Sequence, residues 1–257
     1  GVCYKAIDKL DAAVESFEKA LAIKPDYTEV NYNLGLTLQE LGQLDAAVKR
    51  YEKAIAVNPD YAEAHNNLGV TLKELGQPED AVKSYEQAVA IKPDYAEALN
   101  NLGVAFMELG QREDAVKSYD KALTLQPNNA EAYGNLGVVF VQLGQLDDAV
   151  RSYEKALSLA PDNADTYNNL GIAYYQLDQP DVAIKCYKKA LSLAPDYADA
   201  YANLGCVMDS LDRLDEAQAS YESAIALDPD LDYVFNDHLH TKMHLGLWDN
   251  QANHLSE

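Results

Sequence analysis

At 257 residues, with 48% hydrophobic and 24% charged residues, the chain has the apolar content of a folded protein and none of the compositional marks of disorder. Its formal net charge of −22 repels phosphate backbones and anionic headgroups, which sets nucleic acid and membrane surfaces aside as partners. No apolar run reaches the roughly 18 residues of a membrane span, and Cys3, Cys186 and Cys206, odd in number and without metal-ligand spacing, fit a reducing, cytoplasmic compartment better than a disulfide framework.

From the amino terminus, residues 1–27 read as a truncated repeat: Gly1 aligns with Gly35, so the first helix reads as cut in half, neither a secretory signal nor a natural start is visible, and the chain reads as part of something longer. Prolines at 25, 59, 93, 127, 161, 195 and 229 then recur without insertion. The same step carries alanines from Ala13 to Ala217, aromatics from Phe17 and Tyr51 to Tyr221, a second alanine series from Ala20 to Ala224, and Leu-Gly pairs from 34–35 to 204–205. Residues 28–231 thus form six complete 34-residue repeats, beginning at 28, 62, 96, 130, 164 and 198. Residues 232–257 lose the Leu-Gly pair and read as a diverged terminal repeat or a junction segment.

Each repeat predicts two helices. Pairs such as Asp60/Glu63, Asp26/Glu29, Asp94/Glu97 and Asn128/Glu131 predict a capping box at the start of the first, with Asp162/Asp165 and Asp196/Asp199 as weaker versions. That helix runs about 13 residues to Gly42, Gly76, Gly110 or Gly144, or to Asp178 and Asp212 in the later repeats, where a left-handed residue ends it. The second helix opens on an acid, as at Asp45, Glu79 or Asp181, and stops ahead of the proline. A glycine inside the first helix, such as Gly69, costs about 1 kcal/mol against alanine, so it needs a reason, and close packing against a large residue such as Tyr85 supplies one.

The Leu-Gly, alanine, aromatic, alanine and proline columns resemble the tetratricopeptide-repeat family over essentially the whole chain. The resemblance implies an all-α fold, a right-handed superhelical solenoid of antiparallel helix pairs whose first helices line a concave groove. It implies a protein-interaction scaffold that binds an extended peptide or protein segment there. Members that clamp a terminal carboxylate use Lys and Arg on inner positions; Tyr32, Asn66, Asn100 and acids stand there instead, so that mode is not expected.

Two rows mark the expected groove. Asn33, Asn67, Asn101, Asn135, Asn169 and Asn203 occupy the sixth position of every complete repeat. Each offers a donor and an acceptor to a peptide backbone, although the same side chains could instead brace the scaffold. The six first helices carry ten acids against one base, Lys73, and the row Glu40, Glu74 and Glu108 has no capping role. The partner expected is therefore neutral or basic. Most bases, among them Lys49, Arg50, Lys83 and Lys117, fall on the second helices.

No phosphate loop, nucleophile elbow or cysteine metal motif is present, so no catalytic site and no cofactor are expected. His240 and His244 have the spacing of zinc ligands on a helix, yet Thr241 stands where a metalloprotease would carry glutamate, and packing is the better reading. Cys186 and Cys206 read as small packing residues. The unbroken asparagine row resembles the substrate-binding arm of protein O-GlcNAc transferases, and the tail Leu239–Asn250 resembles the junction in SPINDLY-type relatives. That second resemblance implies a substrate-recognition arm whose catalytic domain lies beyond Glu257. Val2, Ile7 and Leu10, at the cut amino-terminal end, lack upstream neighbours and suggest self-association.

Overall fold

The computed structural model describes residues 9–231 together with His238 and Thr241. The described residues form thirteen α-helices and no strand. A single helix α1 (Leu10–Ile23) precedes six pairs: α2 (Thr28–Glu40) with α3 (Leu44–Val57), α4 (Ala62–Glu74) with α5 (Pro78–Ile91), α6 (Ala96–Glu108) with α7 (Arg112–Leu125), α8 (Ala130–Gln142) with α9 (Leu146–Leu159), α10 (Ala164–Gln176) with α11 (Pro180–Leu193), and α12 (Ala198–Ser210) with α13 (Leu214–Leu227). In every pair the first helix has 13 residues and the second 14. The chain parts into two compact units, Gly1–Asn128 and Asn129–Glu257, and the break falls one residue ahead of the repeat boundary at 129/130, although nothing in the period sets that boundary apart from the others. Val2, Ile7, Cys3, His240 and His244 lie outside the described residues.

The helix ends follow their local chemistry. Gly42 takes φ +71, its N–H donates to the Gln39 carbonyl at 2.9 Å, and the next N–H, of Gln43, donates to the Leu38 carbonyl at 2.8 Å. This paired arrangement satisfies the last carbonyls of α2 and turns the chain into α3. Asp178 and Asp212 adopt the same left-handed backbone, at φ 58 and 57, as the sequence requires of them. The expected capping boxes, by contrast, shift by one residue. The residue ahead of α4 is Tyr61, not Asp60, and its side chain makes no cap. Tyr61 N–H donates to Asn58 O and Ala62 N–H to Asp60 O, both at 3.2 Å, so Asp60 is spent inside the turn before the helix begins. Side-chain caps appear at Asn129 and Asn163 instead, which accept from Ala132 N at 3.0 Å and Thr166 N at 2.7 Å.

Inside each pair the helices meet at the expected glycine. A Cβ at Gly69 would stand 2.6 Å from the Tyr85 ring, and the other five glycines of the Leu-Gly column face Tyr51, Tyr119, Tyr153, Tyr187 and Tyr221 at 2.5–2.7 Å. These tyrosines are buried among the alanine columns, with Ala47, Ala81, Ala149 and Ala217 fully enclosed. Between repeats, the second helix packs on the next first helix: α3 on α4 and α5 on α6 in the first unit, α9 on α10 and α11 on α12 in the second. First helices of successive repeats also touch, α2 with α4, α4 with α6, α8 with α10 and α10 with α12, so within each unit they share one face. Cys186 is buried and helps fill the second unit's core, while Cys206 is exposed. Burial pushes the Cys186 thiol up to about 11, the opposite of what activates a nucleophile.

Two glycines of α8 separate these effects. Gly137→Ala drives a methyl group to within 2.5 Å of Tyr153; overpacking of this kind costs about 1–3 kcal/mol and outweighs the roughly 1 kcal/mol that alanine gains in helix propensity. Gly134→Ala meets nothing closer than 3.9 Å and keeps the propensity gain. Chemical unfolding is expected to show a lower midpoint for the first and a raised one for the second; equal shifts would refute the close-packing account.

Candidate functional site

On the face that the first helices share within each unit, the sixth-position asparagines are all half-buried. In the first unit, Asn33 donates to the Glu29 carbonyl of its own helix at 2.6 Å. Asn67 reaches back one repeat and donates to the Tyr32 hydroxyl at 2.8 Å, and Asn101 donates to Asn66 Oδ1 at 3.1 Å. In the second unit, Asn203 donates to Asn168 Oδ1 at 3.0 Å. The partner in these cross-repeat bonds is always the fifth residue of the preceding first helix. The row therefore braces the stack within each unit, and the amide nitrogens of Asn67, Asn101 and Asn203 are engaged in that bracing.

Asn169 breaks the ladder. The residue at its partner position is Gly134, which has no side chain to accept. In place of a bond there is a pocket of about 370 Å³, with Gly134, Asn135 and Asn169 on its wall, Glu131 and Asp165 at its edge, and Ala156 and Ala160 among its apolar lining. Sequence reading found Asn135 and Asn169 but missed the pocket. Its signal was a glycine in a column that elsewhere holds Tyr32, Asn66, Asn100, Asn168 and Ala202.

The acidic row is exposed as expected, and it too is tied between repeats. Glu74 accepts from Gln39 Nε2 at 3.3 Å, with Gln39 Oε1 accepting the Tyr51 hydroxyl at 3.0 Å. Glu108 lies 3.8 Å from Lys73 Nζ, the single base of the first helices. Near the carboxyl end, Thr241 is fully buried and its hydroxyl donates to Asp209 Oδ1 at 3.1 Å, while His238 lies 3.6 Å from Glu222. Thr241 is thus a packing residue. Among the described residues no three His, Cys, Asp or Glu side chains gather as metal ligands, and no helix is long and apolar enough to cross a membrane.

Tyrosines flank the face. Tyr32 packs against Tyr61 as a tilted pair, 4.8 Å between ring centroids. Burial, then the neighbouring Tyr32, Glu63 and Glu29, push the Tyr61 phenol up to about 12. Burial and the hydrogen bond to Glu154 at 3.0 Å push Tyr174 to about 12 as well, and burial moves Tyr51, Tyr85, Tyr153 and Tyr187 further in the same direction.

These features define a helical tetratricopeptide-repeat array. The chain belongs to the tetratricopeptide-repeat family: the family model described as the Cilia and flagella-associated protein 70 C-terminal domain matches residues 27–228, and a TPR repeat model matches residues 4–42. A crystal structure of MamA is 31% identical over 67% of this chain and 94% of that one, with a TM-score of 0.62. MamA 41-end from Desulfovibrio magneticus RS-1 is 27% identical over 66% of this chain and 97% of that one, also at 0.62. YrrB, described as a TPR protein with an unusual peptide-binding site, is 24% identical over 73% of this chain and 96% of that one at 0.65, which shows the shared fold. No curated protein matches the chain.

Two measurements check the site's energetics. Asn66 is fully buried, accepts from Asn101 and donates to Glu97 Oε1 at 3.3 Å. Asn66→Ala is expected to cost about 1–3 kcal/mol in urea unfolding, whereas Asn33→Ala, which loses one bond within its own helix, stays within about 0.5 kcal/mol; equal losses would remove the ladder as a brace. The tyrosines set the alkaline limit. Because the folded phenols hold their protons above the ordinary value of 10.0, the stability they contribute is complete below pH 10 and is lost as pH rises through about 12. Phenolate absorbance from these tyrosines should appear together with loss of helical ellipticity; their titration near pH 10 with helices intact would contradict the burial described.

Proposed function

We propose that the shared face of the first helices is a protein-binding groove and that the chain serves as an interaction scaffold for an extended peptide. The observation that carries this reading is the face itself. Within each unit it repeats a half-buried asparagine and an apolar ninth residue, as at Val70, Val104, Val138 and Ile172, on adjoining helices. The asparagines offer acceptor and donor capacity to a peptide backbone, and the apolar residues offer contact to its side chains. The likeness to MamA and to YrrB, whose description names a peptide-binding site, supports the same reading. The ten acids of the first helices favour a neutral or basic partner. No catalytic role is assigned to this chain.

The glycosyltransferase-arm reading gains no support: none of the matched families or structures named above is described as a glycosyltransferase, and of the tail that suggested it, 239–250, only Thr241 is described. Self-association through the amino-terminal end rests mainly on residues outside the described ones and is carried no further.

A library of extended peptides selected against the full chain supplies the test. Photo-crosslinkers placed at Val104 or Ile172 are expected to capture the selected peptides, whereas crosslinkers at the exposed second-helix positions Lys53 and Lys121 are not. Basic peptides should bind more weakly as salt rises, because exposed charges are screened over about 8–10 Å near physiological ionic strength. Capture at the second helices alone would overturn the assignment of the groove.

A further inference from the structure

Three repeats close with a tyrosine that turns back over its own first helix. Tyr61 packs at a tilt against Tyr32, Tyr95 neighbours Asn66, and Tyr197 neighbours Asn168; in each case the contact is the fifth residue of that helix. The surroundings repeat as well. Each phenol feels the carboxylates of the second residue of its own first helix and of the second residue of the next: Glu29 and Glu63 for Tyr61, Glu63 and Glu97 for Tyr95, Asp165 and Asp199 for Tyr197. Burial, followed by those carboxylates, raises the pKa of Tyr95 and Tyr197, so these phenols remain protonated donors.

In the repeat 130–163 both large residues are gone. The closing residue is Asn163, whose carboxamide is occupied in capping α10, and the fifth residue is Gly134. The corresponding pair of acids, Glu131 and Asp165, is still in place. A space on which a tyrosine closes in three of the other five complete repeats, 96–129 closing instead with Asn129 and 198–231 with Leu231, is here the open pocket of about 370 Å³, at the small end of the roughly 300–1,000 Å³ usual for ligand sites.

We propose that this pocket recognises an unmodified tyrosine side chain of the bound partner, which supplies the ring and phenol that the chain supplies for itself elsewhere. The proposal rests on the groove reading and names the side chain that the groove selects. The ring packs on Ala156, Ala160 and Val138, and the phenol donates to Glu131 or Asp165. Both carboxylates are exposed, so a lysine or arginine head would find only a screened attraction there, whereas three tyrosines of this chain already show that the surroundings suit a phenol. The same two carboxylates repel phosphotyrosine, which carries a charge of about −1.5 to −2. Phosphorylation of the partner at this residue therefore releases it.

The test titrates N-acetyl-tyrosine amide into the full chain and follows the side-chain NH₂ resonances of Asn135 and Asn169 by NMR. A saturable shift in the millimolar range is expected, with the arginine and phosphotyrosine amides at least five-fold weaker. Asn163→Tyr rebuilds the sister arrangement and should abolish the shift while the helices and Tm are retained or improved. Gly134→Asn, which fills the pocket from the other side and restores a partner for Asn169, should do the same and serves if the first variant fails to fold. Equal binding of the arginine amide, or an unchanged shift in a folded, filled variant, would overturn the proposal. Selected peptides distinguish this failure from that of the groove: if they still crosslink to the first helices but bind Asn163→Tyr with unchanged affinity, the groove stands and the pocket falls.

Discussion

The ring of Tyr85 occupies the space in which a side chain at Gly69 would have to lie, and the same relation recurs in all six complete repeats. This contact sets more than a local fit. It fixes how near the two helices of a repeat approach and how the first helix is rotated about its axis, because only the glycine side admits the ring. Once that rotation is set, the fifth and sixth residues of the first helix must point toward the neighbouring repeat. The hydrogen bonds from Asn67 to Tyr32, Asn101 to Asn66 and Asn203 to Asn168 follow from it. The helix propensity lost at each glycine, about 1 kcal/mol, is offset by the burial of a whole tyrosine ring.

The electrostatics follow the same geometry. Tyr51, Gln39 and Glu74 form a chain of hydrogen bonds that starts in the core and ends in solvent one repeat further on. Lys73 and Glu108 occupy the corresponding places in the next step of the same unit. Both ties are at least partly exposed, so they contribute little stability by themselves. Their consequence is positional: they hold carboxylates on the first helices, on the face proposed to bind a partner, and the large excess of acid over base across the chain reinforces the sign of the field there.

Periodicity made the fold readable, because the residues that build it are those that cannot vary from repeat to repeat. Glycine at φ +71 in Gly42 and aspartate at φ 58 in Asp178 are both legible as helix stops from sequence, since few residues tolerate that backbone. The caps were less legible. An acid three residues before a glutamate looks the same whether it caps the helix or sits one residue earlier in the turn, and Asp60 does the latter. The asparagine row was visible, but its bracing bonds were not, because they join residues 35 apart and depend on how far one repeat is displaced along the next. The pocket was the hardest feature to see. It arises where Gly134 and Asn163 coincide in space, each an ordinary exchange by itself, and only the folded chain shows that one vacancy adjoins the other.

The proposed groove, built from closely similar steps, has a problem of register. Stacked helices lie about 8–10 Å apart and an extended peptide advances about 3.3 Å per residue. A peptide that slides by about three residues therefore meets an equivalent asparagine and loses little, so backbone contacts alone hold it without fixing its position. Register requires a step that differs from its neighbours. Within the second unit the repeat 130–163 is such a step, with a pocket where the next repeat has the filled pair Asn168 and Tyr197. A single partner side chain seated there, as proposed, would convert a uniform track into one with a defined origin. On that reading specificity resides where a column of the repeat is broken, and the unbroken columns supply the scaffold that makes the break meaningful.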